Sequence, residues 1–139
     1  MIEYKGAVMR RFASKDSKRD FYILYTLVFG VIAGFIYFQF AGNGKSLVWS
    51  HDGIPQHLNS LAYYGRYLRE VLHTIFVEHK LELPMWDMNI GYGSDILTTL
   101  HYYVIGDPLT LLSVFVPENM TEVLYEVLIF LRIYLAGIS

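Results

Sequence analysis

The longest uninterrupted apolar stretch of the chain runs from Phe21 to Phe40 and contains twenty consecutive residues without a charged side chain. A helix of that length is about 30 Å long, which matches the hydrocarbon core of a bilayer. The stretch is longer than the apolar region of a cleaved signal peptide and ends in Phe38-Gln39-Phe40 rather than in small residues. The pattern therefore predicts a transmembrane helix over residues 21–40.

A second pattern follows from Pro55 to about His79, where apolar residues recur every three or four positions, as in an amphipathic helix. The predicted apolar stripe consists of Ile54, Leu58, Leu61, Leu68, Leu72 and Ile75. Gly65 lies on the same stripe and weakens the helix by about 1 kcal/mol relative to alanine. The opposite face is marked by Arg66, Glu70 and His73.

This amphipathic helix is too charged to span a membrane. Its tyrosines, Tyr63, Tyr64 and Tyr67, favour a position at the level of the lipid headgroups. The alternative is a core helix of a soluble outer domain. We favour the interfacial position, because the segment offers no second strongly hydrophobic layer for the helix to pack against.

Two apolar segments end the sequence. Leu109–Val116 has only eight residues between Pro108 and Pro117, so we expect a re-entrant or membrane-lying piece. A longer apolar stretch begins at Thr121 and contains Glu126 and Arg132. Charges inside membrane helices usually face protein or water. We expect residues 121–139 to be the start of a second transmembrane helix in a fragment of a longer protein.

Charge predicts the orientation. Residues 1–20 contain six basic and three acidic side chains, whereas residues 21–139 contain five basic and ten acidic ones. The positive-inside rule therefore places the N-terminus in the cytoplasm and the loop of residues 41–120 outside. The composition, 54% hydrophobic and 17% charged, argues against a disordered chain and against nucleic-acid binding. The predicted fold is an all-α integral membrane protein with amphipathic juxtamembrane helices between two transmembrane helices.

Candidate chemistry is concentrated in WSHDGIPQH, residues 49–57, at the start of the amphipathic helix. Asp52 stands near His51 and His57, a grouping suited to a general base or to a cation ligand. The alternative is that Asp52 caps the helix N-terminus, and spacing alone favours this. The chain has no cysteine, and the histidine spacing matches no recognised zinc signature. The sequence therefore identifies no set of metal ligands, and a divalent cation bound near Asp52 is an alternative to the role of Asp52 as a general base.

The order of these segments resembles the N-terminal end of the bacterial YfhO-like membrane proteins. The resemblance covers roughly residues 20–139. It rests on three motifs, which are Trp49–His57, Leu83-Pro84-x-Trp86 with Gly91-Tyr92-Gly93-Ser94, and Asp107-Pro108. It implies a full-length protein with more spans and a fold similar to that of GT-C glycosyltransferases, of which this chain would be a truncated part.

Enzymes of the GT-C class transfer a sugar from a polyprenyl-phosphate carrier outside the cytoplasm. The resemblance implies that Asp52 is the catalytic residue and deprotonates the acceptor hydroxyl. It also implies a set of residues that line the sugar or acceptor pocket: His51, Gln56, His57, Trp86, Asp95, Tyr102 and Asp107.

The partners that the resemblance implies are the lipid bilayer, a polyprenyl-phosphate-linked sugar and a cell-wall glycopolymer such as teichoic acid. The implied location is the cell membrane, with several spans. The alternative function is that of a non-enzymatic transporter, or of a lipid-handling or assembly protein. In a transporter, Glu126 and Arg132 would matter more than Asp52, because charges within spans mark transport paths.

Overall fold

The structure, a computed structural model, describes residues 15–139, with side chains from residue 17 onward. The described part forms two compact units. One unit contains the residues up to Lys45 together with Phe130–Ser139, and the other contains Ser46–Ile129. Most of the predicted cytoplasmic segment, residues 1–20, lies outside the described residues.

The first helix, α1, extends over Lys15–Ala41 and contains the whole predicted span of residues 21–40. Most of its apolar side chains are exposed rather than packed into a core. Within residues 15–139, the segment Ser17–Ala41 of this helix is the one that is long and apolar enough to cross a membrane.

The first unit pairs α1 with the end of the last helix of the chain. Tyr25 and Phe29 lie against Tyr134, with ring centroids 5.5 and 5.3 Å apart. The Tyr25 hydroxyl donates a hydrogen bond to the backbone oxygen of Tyr134 at 3.1 Å. Further along α1, Tyr37 lies 6.4 Å from Phe130, so the two helices run in opposite directions.

The second unit contains the remaining elements. In chain order they are a first π-helical segment Gly53–Leu58, α2 Asn59–Phe76, β1 Trp86–Asp87, β2 Ser94–Asp95, α3 Ile96–Leu100, a second π-helical segment His101–Ile105, a 3₁₀ segment Pro108–Phe115, a 3₁₀ turn Glu118–Met120 and the first part of α4, Thr121–Ile138.

The second unit has its own hydrophobic core. Its buried apolar residues come from α2, α3, the second π-helical segment, α4 and the loop before the first π-helical segment: Val48, Leu61, Tyr64, Tyr67, Val71, Ile96, Leu100, Val104, Leu124 and Leu128. The expectation that α2 lacks a second layer to pack against is therefore wrong. The missing layer comes from α3, the second π-helical segment and α4. The first two of these have only five residues each, which is too few for a periodicity to stand out.

The buried stripe of α2 also differs from the predicted one. Tyr64 and Tyr67, which were expected at the headgroup level, are buried in the protein, and the Tyr67 hydroxyl donates to the Pro84 oxygen at 3.1 Å. In contrast, Ile54 and Leu72 of the predicted stripe are exposed. The side chain of tyrosine is apolar over most of its surface and can be buried when its hydroxyl finds an acceptor.

The fold is mostly helical, but it also contains a two-stranded antiparallel ladder in which Trp86 pairs with Asp95 and Asp87 with Ser94. Its turn includes Gly91 and Gly93 with φ angles of 62° and 102°, where residues with a β-carbon are strained. A side chain at Gly93 would also meet the Met88 sulfur at 2.9 Å. The all-α prediction missed this ladder because each strand has only two residues.

The two apolar segments at the end of the chain are both helical. The stretch that was expected to be membrane-lying forms the 3₁₀ segment, and the helix predicted from Thr121 begins there as α4. α4 has 18 residues and contains three charged side chains, Glu122, Glu126 and Arg132. This charge excludes it from the helices that are apolar enough to cross a membrane, among which α1 is counted. A second span therefore stays a prediction.

Candidate functional site

Asp52 immediately precedes the first π-helical segment. The backbone oxygen of Asp52 accepts from the amides of Gln56 and His57, each at 3.2 Å, which is the wide turn typical of a π-helix. Pro55 has no amide hydrogen, and Gly53 packs so closely that a β-carbon would lie 3.2 Å from Val48. Such single-turn π segments are rare and frequently occur at functional sites.

The carboxylate of Asp52 does not cap the helix, contrary to the capping alternative. Instead, Oδ1 accepts a hydrogen bond from Gln56 Nε2 at 3.1 Å. Gln56 Oε1 in turn accepts from the hydroxyl of Tyr103 at 3.1 Å. This hydrogen-bonded chain holds one carboxylate oxygen at the exposed surface, while no described residue donates to Oδ2.

Tyr103 also contacts His57, and their rings meet edge to face with centroids 5.3 Å apart. The candidate site is therefore built by both π-helical segments, with Asp52, Gln56 and His57 at the first and Tyr103 from the second. We call these four residues the Asp52 cluster. Tyr103 was not among the predicted site residues, since no local signal connects it to a residue 47 positions away.

His51 and Tyr102 lie beside the Asp52 cluster rather than in its hydrogen-bonded chain. The His51 ring stacks on Trp49 with centroids 5.3 Å apart, and its Nδ1 lies 3.4 Å from the Ser50 hydroxyl. Tyr102 is exposed and meets the ring of Tyr103 edge to face at 5.3 Å.

Two predicted pocket residues, Asp95 and Asp107, cap helical segments. Asp95 Oδ1 accepts from the amide of Thr98 at 2.7 Å and from its hydroxyl at 2.5 Å, and these bonds hold the pKa of Asp95 below its usual value. Asp107 Oδ1 accepts from the amide of Leu109 at 2.9 Å. These bonds account for both residues structurally, and their contact with a substrate stays a prediction.

The remaining predicted pocket residue, Trp86, is exposed at the two-stranded ladder. Its indole Nε1 lies 3.3 Å from the Met88 sulfur, and its ring covers Gly93, where a β-carbon would approach Nε1 to 3.2 Å. The ring is therefore held in one orientation. No described contact joins it to the Asp52 cluster.

A second polar cluster contains Tyr63, Arg66, Asp87 and Asn89. The Tyr63 hydroxyl donates to Asp87 Oδ2 at 2.6 Å, and the amide and side chain of Asn89 donate to Oδ1. The guanidinium of Arg66 lies 5.4 Å from the centre of the Tyr63 ring. Burial, followed by the bond to Asp87, raises the pKa of Tyr63, and the bond from Tyr63 is the main cause of a lowered pKa at Asp87.

The exposed face of α2 lines an open groove of about 450 Å³ together with Glu78. Its basic side chains already have protein partners. Arg69 Nη1 donates to the backbone oxygens of Ser113 and Val116, both at 2.9 Å, and Arg66 pairs with Glu118 at 3.3 Å.

Metal binding receives no structural support in the described part of the chain. Among residues 15–139 no three His, Asp or Glu side chains are grouped so that they could hold a metal ion. The divalent cation stays a prediction.

Over residues 15–139 these features define a mostly helical protein with one helix long and apolar enough to cross a membrane and a second unit with its own core. The sequence matches the family described as bacterial membrane protein YfhO over residues 24–139. This match covers most of the chain, so the chain belongs to that family and its partner is the lipid bilayer. Searches of curated proteins and of solved structures found no match.

Proposed function

We propose that this chain is part of a membrane glycosyltransferase that moves a sugar from a polyprenyl-phosphate donor to an extracytoplasmic cell-wall glycopolymer such as teichoic acid. Asp52 is the general base. It accepts the proton of an acceptor hydroxyl, whose oxygen attacks the anomeric carbon of the sugar. The bond from that carbon to the carrier phosphate breaks, and the phosphate leaves with the electron pair.

The observation that supports this role most directly is the hydrogen-bonded state of Asp52. Gln56 holds Oδ1, Tyr103 holds Gln56, and the carboxylate itself is exposed. A base needs such a fixed direction toward the proton that it removes. In this proposal Gln56 and Tyr103 orient the base, whereas His57 and the exposed rings of Tyr102 and Trp86 contact sugar or acceptor.

The proposed setting is a multi-pass protein with a cytoplasmic N-terminus and the Asp52 cluster outside. The antiparallel packing of the end of α4 on α1 supports a second span, since α1 is the helix that can cross the membrane. In the first unit, the hydroxyl groups of Thr26 and Tyr134 also share one hydrogen bond, with their oxygens 2.9 Å apart, and the Thr26 hydroxyl donates to the backbone oxygen of Tyr22 at 2.8 Å. Such pairing suits a region that lacks water.

The alternative of a transporter depends on charges within the spans. Glu126 is buried, and its Oε1 accepts from the Leu47 amide at 2.9 Å and from the Ser46 hydroxyl at 3.1 Å. These bonds connect α4 to the chain that leaves α1, so a structural role accounts for Glu126. We therefore prefer the transferase.

The test uses cells that lack the gene and are complemented with the full-length protein. Sugar analysis of the cell-wall polymers compares wild type, Asp52→Asn and Glu118→Gln, the last as an exposed carboxylate of the same unit. We expect Asp52→Asn to lose about 10²–10⁴-fold of the transfer activity, because that is the usual contribution of a general base. Glu118→Gln should keep it.

Two results would overturn the proposal at different levels. If the Asp52→Asn protein is inserted at normal abundance and glycosylates the polymer as wild type does, Asp52 is not the general base. Unchanged glycans in cells without the gene contradict the transferase itself.

A further inference from the structure

The 3₁₀ segment Pro108–Phe115 has its polarity inverted relative to an element on the surface of a soluble protein. Its small hydroxyl residues face inward, since Thr110 is 1% and Ser113 is 3% exposed. Its large apolar residues face outward, since Leu111, Leu112 and Phe115 are 49%, 40% and 83% exposed. We call these last three residues the apolar ridge.

The inward side of the segment fits closely against α2. Gly65 is the point of contact, because a β-carbon there would lie 2.8 Å from the backbone oxygen of Ser113. The Thr110 hydroxyl lies 2.6 Å from the backbone oxygens of both Val104 and Asp107, which share its single proton. The orientation of the ridge is therefore fixed by contacts on the opposite side.

Several backbone groups at the two ends of the segment are bonded to protein. Pro108 has no amide hydrogen to satisfy, and the amides of Leu109 and Thr110 donate to the side chain and backbone oxygen of Asp107. At the other end, Arg69 donates to the oxygens of Ser113 and Val116. Helix ends normally leave such groups to water, so these caps reduce the number of backbone groups that need water, although the buried Ser113 hydroxyl has no hydrogen-bond partner among the described residues.

These features are what a segment needs in order to enter the boundary of a bilayer, where backbone groups require internal partners and apolar side chains are favoured. We propose that the apolar ridge inserts between the lipid headgroups and acyl chains of the bilayer that α1 crosses. The segment Pro108–Phe115 contains no charged residue, and the chain belongs to a membrane-protein family. This contact does not depend on the proposed catalytic role of Asp52.

The test uses single-cysteine variants, because the chain contains no cysteine of its own. Phe115→Cys and Leu111→Cys carry a nitroxide label in the full chain, reconstituted in phosphatidylcholine vesicles. Met88→Cys is the control, since Met88 is apolar and 69% exposed but stands between Asp87 and Asn89. Electron paramagnetic resonance measures the collision of each label with oxygen, which concentrates in lipid, and with a water-soluble nickel chelate.

We expect the ratio of oxygen to nickel accessibility to be several-fold higher at positions 111 and 115 than at position 88. Equal ratios at all three positions would place the ridge in water and overturn the proposal. Low accessibility to both reagents at 111 and 115 would indicate a protein surface on the ridge and would overturn it as well. Circular dichroism of each labelled variant confirms that the helices are retained.

Discussion

At the scale of single residues, Tyr63 and Asp87 form a short contact between positions 24 apart in the sequence. The bond joins α2 to β1, so it holds the two-stranded ladder against the long helix of the second unit. Both pKa shifts favour the same arrangement, with the proton on Tyr63 and the charge on Asp87.

This contact predicts how stability depends on pH. The pKa of Asp87 is lowered by folding, so its stabilisation is present above about pH 4, the usual carboxyl value, and is lost as the pH falls through the folded-state value. The pKa of Tyr63 is raised, so its stabilisation is present below about pH 10 and is lost in stronger base. Tyr63→Phe removes the largest cause of the shift at Asp87. We expect its melting temperature to fall less between pH 6 and pH 3 than that of wild type.

Thermal unfolding followed by circular dichroism in detergent measures this difference. Tyr92→Phe is the matched control, because Tyr92 is fully exposed. It should keep the wild-type pH dependence. A Tyr63→Phe variant with the same loss of melting temperature in acid as wild type would contradict the prediction.

The residues of the candidate site show which contacts between side chains could be predicted from the sequence. Asp52, Gln56 and His57 were predictable as neighbours, since positions four and five apart meet on one turn of a helix. Tyr103 was not, because its contact with Gln56 is created by the packing of two distant turns. Asp95 and Asp107 were assigned to a pocket, while their bonds cap helical segments, a use that short sequence spacing could also have indicated.

At the scale of elements, Arg69 determines how the 3₁₀ segment lies on α2. Its guanidinium bonds two backbone oxygens at 2.9 Å beside Gly65, the residue that allows the close approach. The sequence predicted a helix with Gly65 on its apolar stripe. From the sequence alone, this glycine was expected only to weaken the helix locally. The cost in helix propensity is offset by contact with a segment that is 48 residues away, which no periodicity within α2 encodes.

We expect Arg69→Met to destabilise the second unit by about 1.5–3 kcal/mol, the usual contribution of hydrogen bonds to a charged group. Methionine keeps most of the apolar length of the side chain and removes both donors. Arg66→Met is the control on the same helix face, and its exposed pair with Glu118 should contribute at most about 1 kcal/mol. Urea unfolding in detergent compares the two variants. Equal losses of stability would show that the bonds of Arg69 are no stronger than a surface ion pair.

At the scale of the whole molecule, the sequence correctly predicted one long helix over residues 21–40 that is apolar enough to cross a membrane, because twenty consecutive uncharged residues favour that structure by themselves. It did not predict the core of the second unit, in which α2 and α4 pack with short helical segments that contribute few apolar residues each. The tyrosines of α2 show the same limit. Tyr64 and Tyr67 suit a lipid interface and a protein core equally well, and only the packing partners distinguish the two.

The orientation of α1 determines whether the Asp52 cluster can meet an extracytoplasmic acceptor, and the distribution of charge predicts this orientation. Six basic side chains precede the span, and they should keep the N-terminus in the cytoplasm. We therefore expect a membrane-impermeant maleimide, applied to intact cells, to label Asn43→Cys, which lies just after α1. Ser17→Cys, near the start of the same helix, should be labelled only after the cells are permeabilised. The reverse pattern would place Asp52 in the cytoplasm, where no cell-wall polymer could reach it.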